Sequence, residues 1–272
     1  MKVVAVIQAR TGSTRLPGKV LLPLAGRPVL ERMLERVARA RELDAVIVAT
    51  TREAADDSVA SLCHALGVPC YRGSSQDLLD RHLCAARLLA ADAIVKVPSD
   101  CPLIDPRIID HVVSEWRLQE GALDFLSNLH PPTHPDGNDV EVMSMATLVA
   151  AHAEARRPFE REHTTPFIWD QPERFRVANV VWGQGRNAAA THRVVLDYPE
   201  DYEVIARVFE ALYRPHQATF GVNEIVAFLD AHPEVAASNA RHRGAHWYRN
   251  HLTELRTLSP RGADRLSSEL GR

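Results

Sequence analysis

The sequence predicts an α/β fold, a mostly parallel sheet covered by helices on both faces. Three observations carry that expectation. The chain opens on a continuous run, Val3-Val4-Ala5-Val6-Ile7, whose β-branched residues suit a strand buried on both faces. From there to Trp116, strand and helix patterns alternate, as repeated strand–helix units do. The length, 272 residues, provides one large or two small domains and buries roughly three-quarters of the unfolded surface.

The elements follow in order. A helix begins near Pro28, a favourable first helical residue, with Val29, Leu30, Met33, Leu34 and Val37 at helical spacing. Residues 45–49 form a second buried strand, and 54–66 a helix closed by Gly67. A short strand at 68–71 and a turn at 72–75 precede a helix started by Ser74 and Asp77, with Leu78, Leu79, Leu83, Ala86 and Leu89 on one face. Residues 93–97 are the next strand, and Asp105-Pro106 starts the helix carrying Ile108, Ile109, Val112, Val113 and Trp116.

The rhythm then breaks. Residues 124–128 read as a strand, 131–137 as loop, and 139–142 as a half-exposed strand of period two. With the helix at 145–156, this middle third looks like an excursion from the main sheet. Residues 193–197 (RVVLD) are expected to return to the sheet as a buried strand, backed by a helix with Tyr202, Ile205, Val208, Phe209 and Leu212. Beyond Leu229 apolar periodicity fades, and the Arg- and His-rich stretch from Ala240 reads as a weakly packed tail.

Composition excludes several classes. A net charge of −3 is no footing for a nucleic-acid reader. No apolar run reaches the length of a membrane span, and the N-terminus enters a strand at once, without a signal peptide. The four cysteines (63, 70, 84, 101) have neither C-x-x-C nor zinc spacing, so they read as buried thiols of a reducing compartment, the cytoplasm.

The loop after the first strand is the strongest functional signal. Gly12, Pro17 and Gly18 end the strand, and Arg10, Arg15 and Lys19 crowd one short segment ahead of a helix, a place to hold a polyphosphate. It is not a Walker A loop, since five residues separate Gly12 from Gly18 and Val20 follows Lys19. Gly183-Gln184-Gly185-Arg186-Asn187-Ala188 matches a dinucleotide fingerprint, but no helix fits before residue 193. Asp100 and Asp197 stand out differently. Each follows a run expected to be a buried strand, at the sheet edge where open α/β folds bind ligands, and each needs a cation nearby. Facing carboxylates repel, so without metal and nucleotide the pair is expected to be strained, hydrated or splayed apart. Triphosphate oxygens between them would complete what magnesium wants.

The pattern Gln8-Ala9-Arg10-x-x-Ser13-x-Arg15-Leu16-Pro17-Gly18-Lys19 resembles the cytidylyltransferases that make CMP-activated acidic sugars, most closely their spore coat polysaccharide biosynthesis protein F branch. Ser99-Asp100-Cys101-Pro102-Leu103-Ile104-Asp105, Asp139-Val140-Glu141-Val142, Arg161-Glu162-His163 and Asp197-Tyr198-Pro199-Glu200-Asp201 are similar to further segments of that family. Lys96 and Pro98 depart from its usual Arg and Thr. The resemblance runs from Lys2 to about Leu212. It implies a Rossmann-like three-layer nucleotidyltransferase fold, a mixed but mostly parallel sheet with a small inserted dimerisation subdomain. Residues 1–239 would form the domain, with the insert at about 122–185 and the tail at 240–272.

The activity so implied is transfer of CMP from CTP to an acidic sugar, a nonulosonic or octulosonic acid, with release of pyrophosphate for surface polysaccharide biosynthesis. Gln8, Ala9, Arg10, Gly12, Ser13, Arg15, Lys19 and Asp77 would bind the nucleotide, with Arg10, Lys19 and Asp100 catalytic. Asp100 and Asp197 would hold Mg2+. Asp139, Glu141, Arg161 and His163 would meet the acceptor, Arg161 reading its carboxylate. A homodimer is implied, with Phe159, Phe167, Ile168 and Trp169 supplying contact area. A nucleotide-sugar-dependent glycosyltransferase is the rival reading. Such enzymes generally use Asp-x-Asp for their metal, and this chain offers only Asp139-Val140-Glu141. A catalytically idle nucleotide-binding homologue is the other rival, opposed by the joint presence of Arg10, Lys19, Asp100 and Asp197.

Overall fold

The computed structural model describes residues 1–119, 121–215, 219–245 and 247–258, so the last part of the expected tail, 259–272, lies outside the described residues. Strand β1 (Val3–Gln8) leads through the cationic loop to a two-residue hairpin, β2 (Pro23–Leu24) and β3 (Arg27–Pro28), and then α1 (Val29–Val37). There follow β4 (Ala45–Thr51), α2 (Asp57–Ala65), β5 (Cys70–Gly73), α3 (Leu78–Leu88), β6 (Ala93–Pro98) and α4 (Pro106–Leu118). The second half supplies β7 (Phe125–Ser127), β8 (Glu141–Ser144), α5 (Met145–Glu154), α6 (Pro158–His163), α7 (Pro166–Trp169) and β9 (Val177–Asn179). Helices α8 (Pro199–Leu212), α9 (Val222–Ala231) and α10 (Pro233–Ser238) close the order. Among the described residues no helix is long and apolar enough to cross a membrane.

Seven strands make one sheet, in the order β5-β4-β1-β6-β8-β7-β9. The first four run parallel; β8 is antiparallel to β6 and to β7, and β9 parallel to β7. The three-layer α/β expectation holds. In β1, Val3, Ala5 and Ile7 pack into the core on the α1, α2 and α4 side, while Val4 and Val6 pack on the α3 and α5 side. All five are 0% exposed, and each valine and the isoleucine is worth about 1.5–3 kcal/mol relative to exposure. A third apolar cluster joins Leu24, Val29 and Leu103 to Val194, Leu196 and the inward face of α8. Because β1 lies between β4 and β6, the chain reverses direction of travel across the sheet at β1, and the crevice there opens beyond the strand ends.

The structure corrects four expectations. Residues 193–197 are buried and extended but form no strand of the sheet. Val194 N donates to Asp136 O at 2.7 Å and Leu196 N to Asp100 O at 2.7 Å, so the segment spans loops beyond the sheet instead of joining a ladder. Gly137, at φ +109°, makes this docking possible, since a Cβ there would stand 2.6 Å from the backbone of Val194 and Val195. Second, the supposed excursion builds sheet: β7, β8 and β9 form its far edge. Third, 139–142 is not half-exposed. Its strand portion starts at Glu141, and that side chain turns inward because Lys96, its cross-strand neighbour on β6, pairs with it. Fourth, Phe159, Phe167, Ile168 and Trp169 are only 2, 7, 0 and 5% exposed and fill the chain's own core, where they cannot supply a subunit contact.

What a ladder would have done for 193–197, a charged network does. Arg193 holds Asp201 through Nε and Nη2, both at 2.9 Å, and Asp136 through Nη1 at 2.9 Å. Asp201, fully buried, also accepts from Asn239 Nδ2 at 2.9 Å and from the backbone N–H of Asp197 and Tyr198 at 3.0 Å. Removing one member of a buried, hydrogen-bonded ion pair strands the other, at a cost of about 3–5 kcal/mol. Asp201→Ala is therefore expected to lower the unfolding free energy by that amount in urea titrations. A loss under about 1 kcal/mol, the level of an exposed pair, would show that packing alone holds the segment.

Candidate active site

The cationic loop is built on a buried acid. Asp56, 2% exposed, takes the Thr11 N–H and hydroxyl at 2.7 Å each and the Thr51 hydroxyl on its other oxygen. Burial opposes the Asp56 charge, but these donors outweigh it and its pKa falls below the usual range. The loop then closes on itself, with Gly18 N bonded to Thr11 O at 2.9 Å and Ser13 Oγ accepting from Leu16 N at 3.3 Å. Gly18, at φ +68°, supplies the left-handed turn that sends Lys19 inward while the loop tip stays in solvent.

Lys19 is 8% exposed, and its ammonium makes three hydrogen bonds: to Leu196 O at 2.7 Å, Asp197 Oδ1 at 3.0 Å and Asp100 Oδ2 at 3.3 Å. Arg15 adds a second cation on Asp197 Oδ1 at 2.6 Å. Here too the expectation of splayed carboxylates is corrected: a lysine ammonium joins them. Burial disfavours the Lys19 charge, yet Asp100 and Asp197 outweigh it and raise the pKa. The same balance, burial against Lys19 and Arg15, leaves Asp197 below its usual value.

Arg15, Asp100 and Asp197 open onto a cleft of about 470 Å³. Gln8 and Pro98, at the ends of β1 and β6, line it together with Arg15, Asp100, Asp136, Asp139, Glu141, His163, Arg193 and Asp197. Burial and neighbouring acids push Asp139 well above the usual carboxylate range, and burial lifts Asp136 to about 6 despite Arg193. Burial and nearby Lys96 lower His163 to about 3, so it is neutral at physiological pH. Glu141 is consumed by Lys96 and by the Thr165 hydroxyl at 2.6 Å. Among the described residues no group of three or more His, Cys, Asp or Glu forms a ready metal cage. The two carboxylate oxygens that converge on one ammonium fit instead a hard cation that takes few protein ligands and completes its shell with phosphate and water.

The other candidates scatter. Ala9 is buried, and Gly12 and Ser13 shape the loop. Arg10 is exposed and reaches away from Lys19, donating to Ser75 O at 3.3 Å just before α3. Asp77 caps α3, accepting from Asp80 N at 2.9 Å, and its other oxygen takes Arg161 Nε at 3.0 Å and Nη2. Arg161 Nη1 is spent on His152 O at 2.7 Å. Asp77 and Arg161 thus meet each other, and neither lines the cleft.

Sequence reading missed Asp56, Asp136, Arg193 and Arg81. Arg193 carried a signal, a cation heading a buried β-branched run. Arg81 carried one too, a charge on the apolar side of α3. It is 4% exposed, and its Nε and Nη1 have no hydrogen-bond partner among the described residues, nor does the buried Gln8 Oε1.

The chain's similarities agree with this geometry. It is 30% identical over 237 residues to the spore coat polysaccharide biosynthesis protein SpsF of Bacillus subtilis, covering 85% of this chain and 95% of that one. It is 41% identical over 118 residues to the 3-deoxy-manno-octulosonate cytidylyltransferase of Trichlorobacter lovleyi, 43% of this chain and 45% of that enzyme. A cytidylyltransferase structure from Leptospira borgpetersenii superposes with a TM-score of 0.82 at 33% identity, covering 87% of this chain and 97% of that one. The sequence model of the cytidylyltransferases matches residues 4–224, and with the loop, the paired aspartates and the switch-point cleft in place, the chain belongs to the cytidylyltransferase family.

Proposed function

We propose that this cytidylyltransferase moves CMP from CTP to an acidic sugar of the nonulosonic- or octulosonic-acid type, releasing pyrophosphate, with magnesium as cofactor, for surface polysaccharide biosynthesis. The observation that carries the reading is the meeting of Lys19 with Arg15, Asp100 and Asp197, the last three of which line one cleft. The spore coat and octulosonate relatives support the acceptor class and the pathway.

In this reading the acceptor hydroxyl oxygen gives up its proton to water and attacks the α-phosphorus in line with its bond to the bridging oxygen, which departs with the electron pair as pyrophosphate. Phosphoryl chemistry leaves a protein little covalent work, so positioning and charge neutralisation supply most of the rate. Arg15 and Lys19 on one flank of the loop, and Arg10 on the other, take up triphosphate charge. Asp100 and Asp197 would hold magnesium, which supplies charge neutralisation at the phosphates when bound. Four nucleoside triphosphates crossed with sugar acids and neutral sugars, scored by pyrophosphate release, test the whole reading. CTP with an acid is the expected pair; turnover confined to neutral acceptors, or indifference to the base, overturns it.

Two substitutions probe the centre. Lys19→Ala should lower kcat by about 10²–10³, the scale of losing one aimed donor at a charge centre, while circular dichroism stays native. A kcat near wild type removes Lys19 from the chemistry. Asp100→Asn and Asp197→Asn should each cut turnover and shift the magnesium titration to higher concentration. The double variant should cost far less than the product of the two, because groups acting on one ion are not additive. Multiplicative losses would assign the aspartates to separate tasks.

A further inference from the structure

The family match ends at residue 224, but the described chain continues to 258 and returns to the cleft. On one bank it is fixed beside the aspartate network. Asn239 donates to Arg193 O at 3.0 Å and to Asp201, Glu200 pairs with Arg241 and His242, and His242 stacks on Tyr198 at 3.8 Å between centroids, 3° from parallel. On the other bank Asp170, fully buried, accepts from the backbone of Arg256 at 2.9 Å and of Thr257 at 2.8 Å. Leu255, 2% exposed, packs in the core that holds Phe159 and Trp169. Between these anchorages Ala245, Tyr248, Arg249 and Asn250 line the cleft.

The cations in the cleft are otherwise committed. Arg15 is held by Asp197, Lys96 by Glu141, and Arg193 by Asp136 and Asp201. The sequence's own carboxylate reader, Arg161, is spent on Asp77. Arg249 is exposed, and among the described residues its guanidinium has no hydrogen bond or ion pair. A guanidinium fork matches a carboxylate with two parallel hydrogen bonds.

We propose that Ala245, Tyr248, Arg249 and Asn250 form the acceptor wall of the cleft, and that Arg249 reads the carboxylate of the acidic sugar. The assignment rests on the acceptor class proposed above. It gives the stretch beyond the family match a role in choosing the acceptor, with no part in holding the nucleotide.

The test uses the full chain with CTP and magnesium, 3-deoxy-manno-octulosonate as the acid, and the corresponding C1 amide as the uncharged probe. Arg249→Gln should raise the KM for the acid by about tenfold or more, the scale of a lost bidentate charge-assisted contact, while the KM for CTP and the melting temperature hold. The preference for acid over amide in kcat/KM should collapse with it, a change that a merely structural wall residue would not produce. Wild-type turnover of the acid with an unchanged acid-to-amide preference in Arg249→Gln overturns the assignment alone, as does an equal rise in both KM values. Wild-type turnover of neutral sugars and of no acid overturns the acceptor class, and the assignment with it.

Discussion

The ammonium of Lys19 joins three parts of the chain that lie far apart in sequence: the loop after β1, the turn after β6 and the extended segment before α8. A buried lysine is stable only when its charge and all its donors are met. Here each donor has an oxygen, two of them carboxylate oxygens. The contact therefore acts in both directions. It lets Lys19 be buried, and it holds the carboxylates of Asp100 and Asp197 close together, which their mutual repulsion would otherwise oppose.

Each partner reaches that point by a different device. Asp100 is carried by the register of the sheet, since β6 is bonded to β1 along its length and Ser99 N reaches Gln8 O at 3.3 Å. Lys19 is carried by a loop whose shape depends on Asp56 and on a left-handed glycine. Asp197 has no strand beneath it. Its backbone N–H is held by Asp201, Asp201 by Arg193, and Arg193 in turn by Asp136. The rigidity expected of a strand end comes from a charged network, and its cost is the desolvation of Arg193, Asp201 and Asp136.

That difference marks where the sequence could be read. The strand β1 and its loop were legible because their signals are local: a β-branched run, then glycine, proline and cations within a few positions. Asp100 was legible for the same reason. The run 193–197 misled because a buried extended segment shows its apolar character in sequence but not the destination of its backbone hydrogen bonds. Strand and loop-spanning segment look alike until Asp136 and Gly137 are seen beside it. Arg161 misled in another way. A guanidinium near the right motif implies a carboxylate partner, but not whether that carboxylate belongs to a ligand or to Asp77, 84 positions away. Glu141 is the same case, claimed by Lys96 across the sheet.

The cleft's electrostatics follow from this commitment of charges. Its acids outnumber its unpaired cations, yet the site is not uniformly negative, because burial raises the pKa of Asp139, and Lys19 and Arg15 offset the charge of Asp197. In the proposed reading an anionic nucleotide entering there would meet cations already paired with aspartates, so binding would exchange partners and not merely add them. A ligand that brought only negative charge would have to pull Lys19 and Arg15 away from Asp197 and leave that buried carboxylate with only Arg193, at 3.7 Å, to offset it. A ligand arriving with its own divalent cation leaves the aspartates compensated and frees the two side chains for phosphate oxygens. Under the proposed function, the pairing of these four side chains is thus a reason to expect a metal-bound triphosphate in place of a free one.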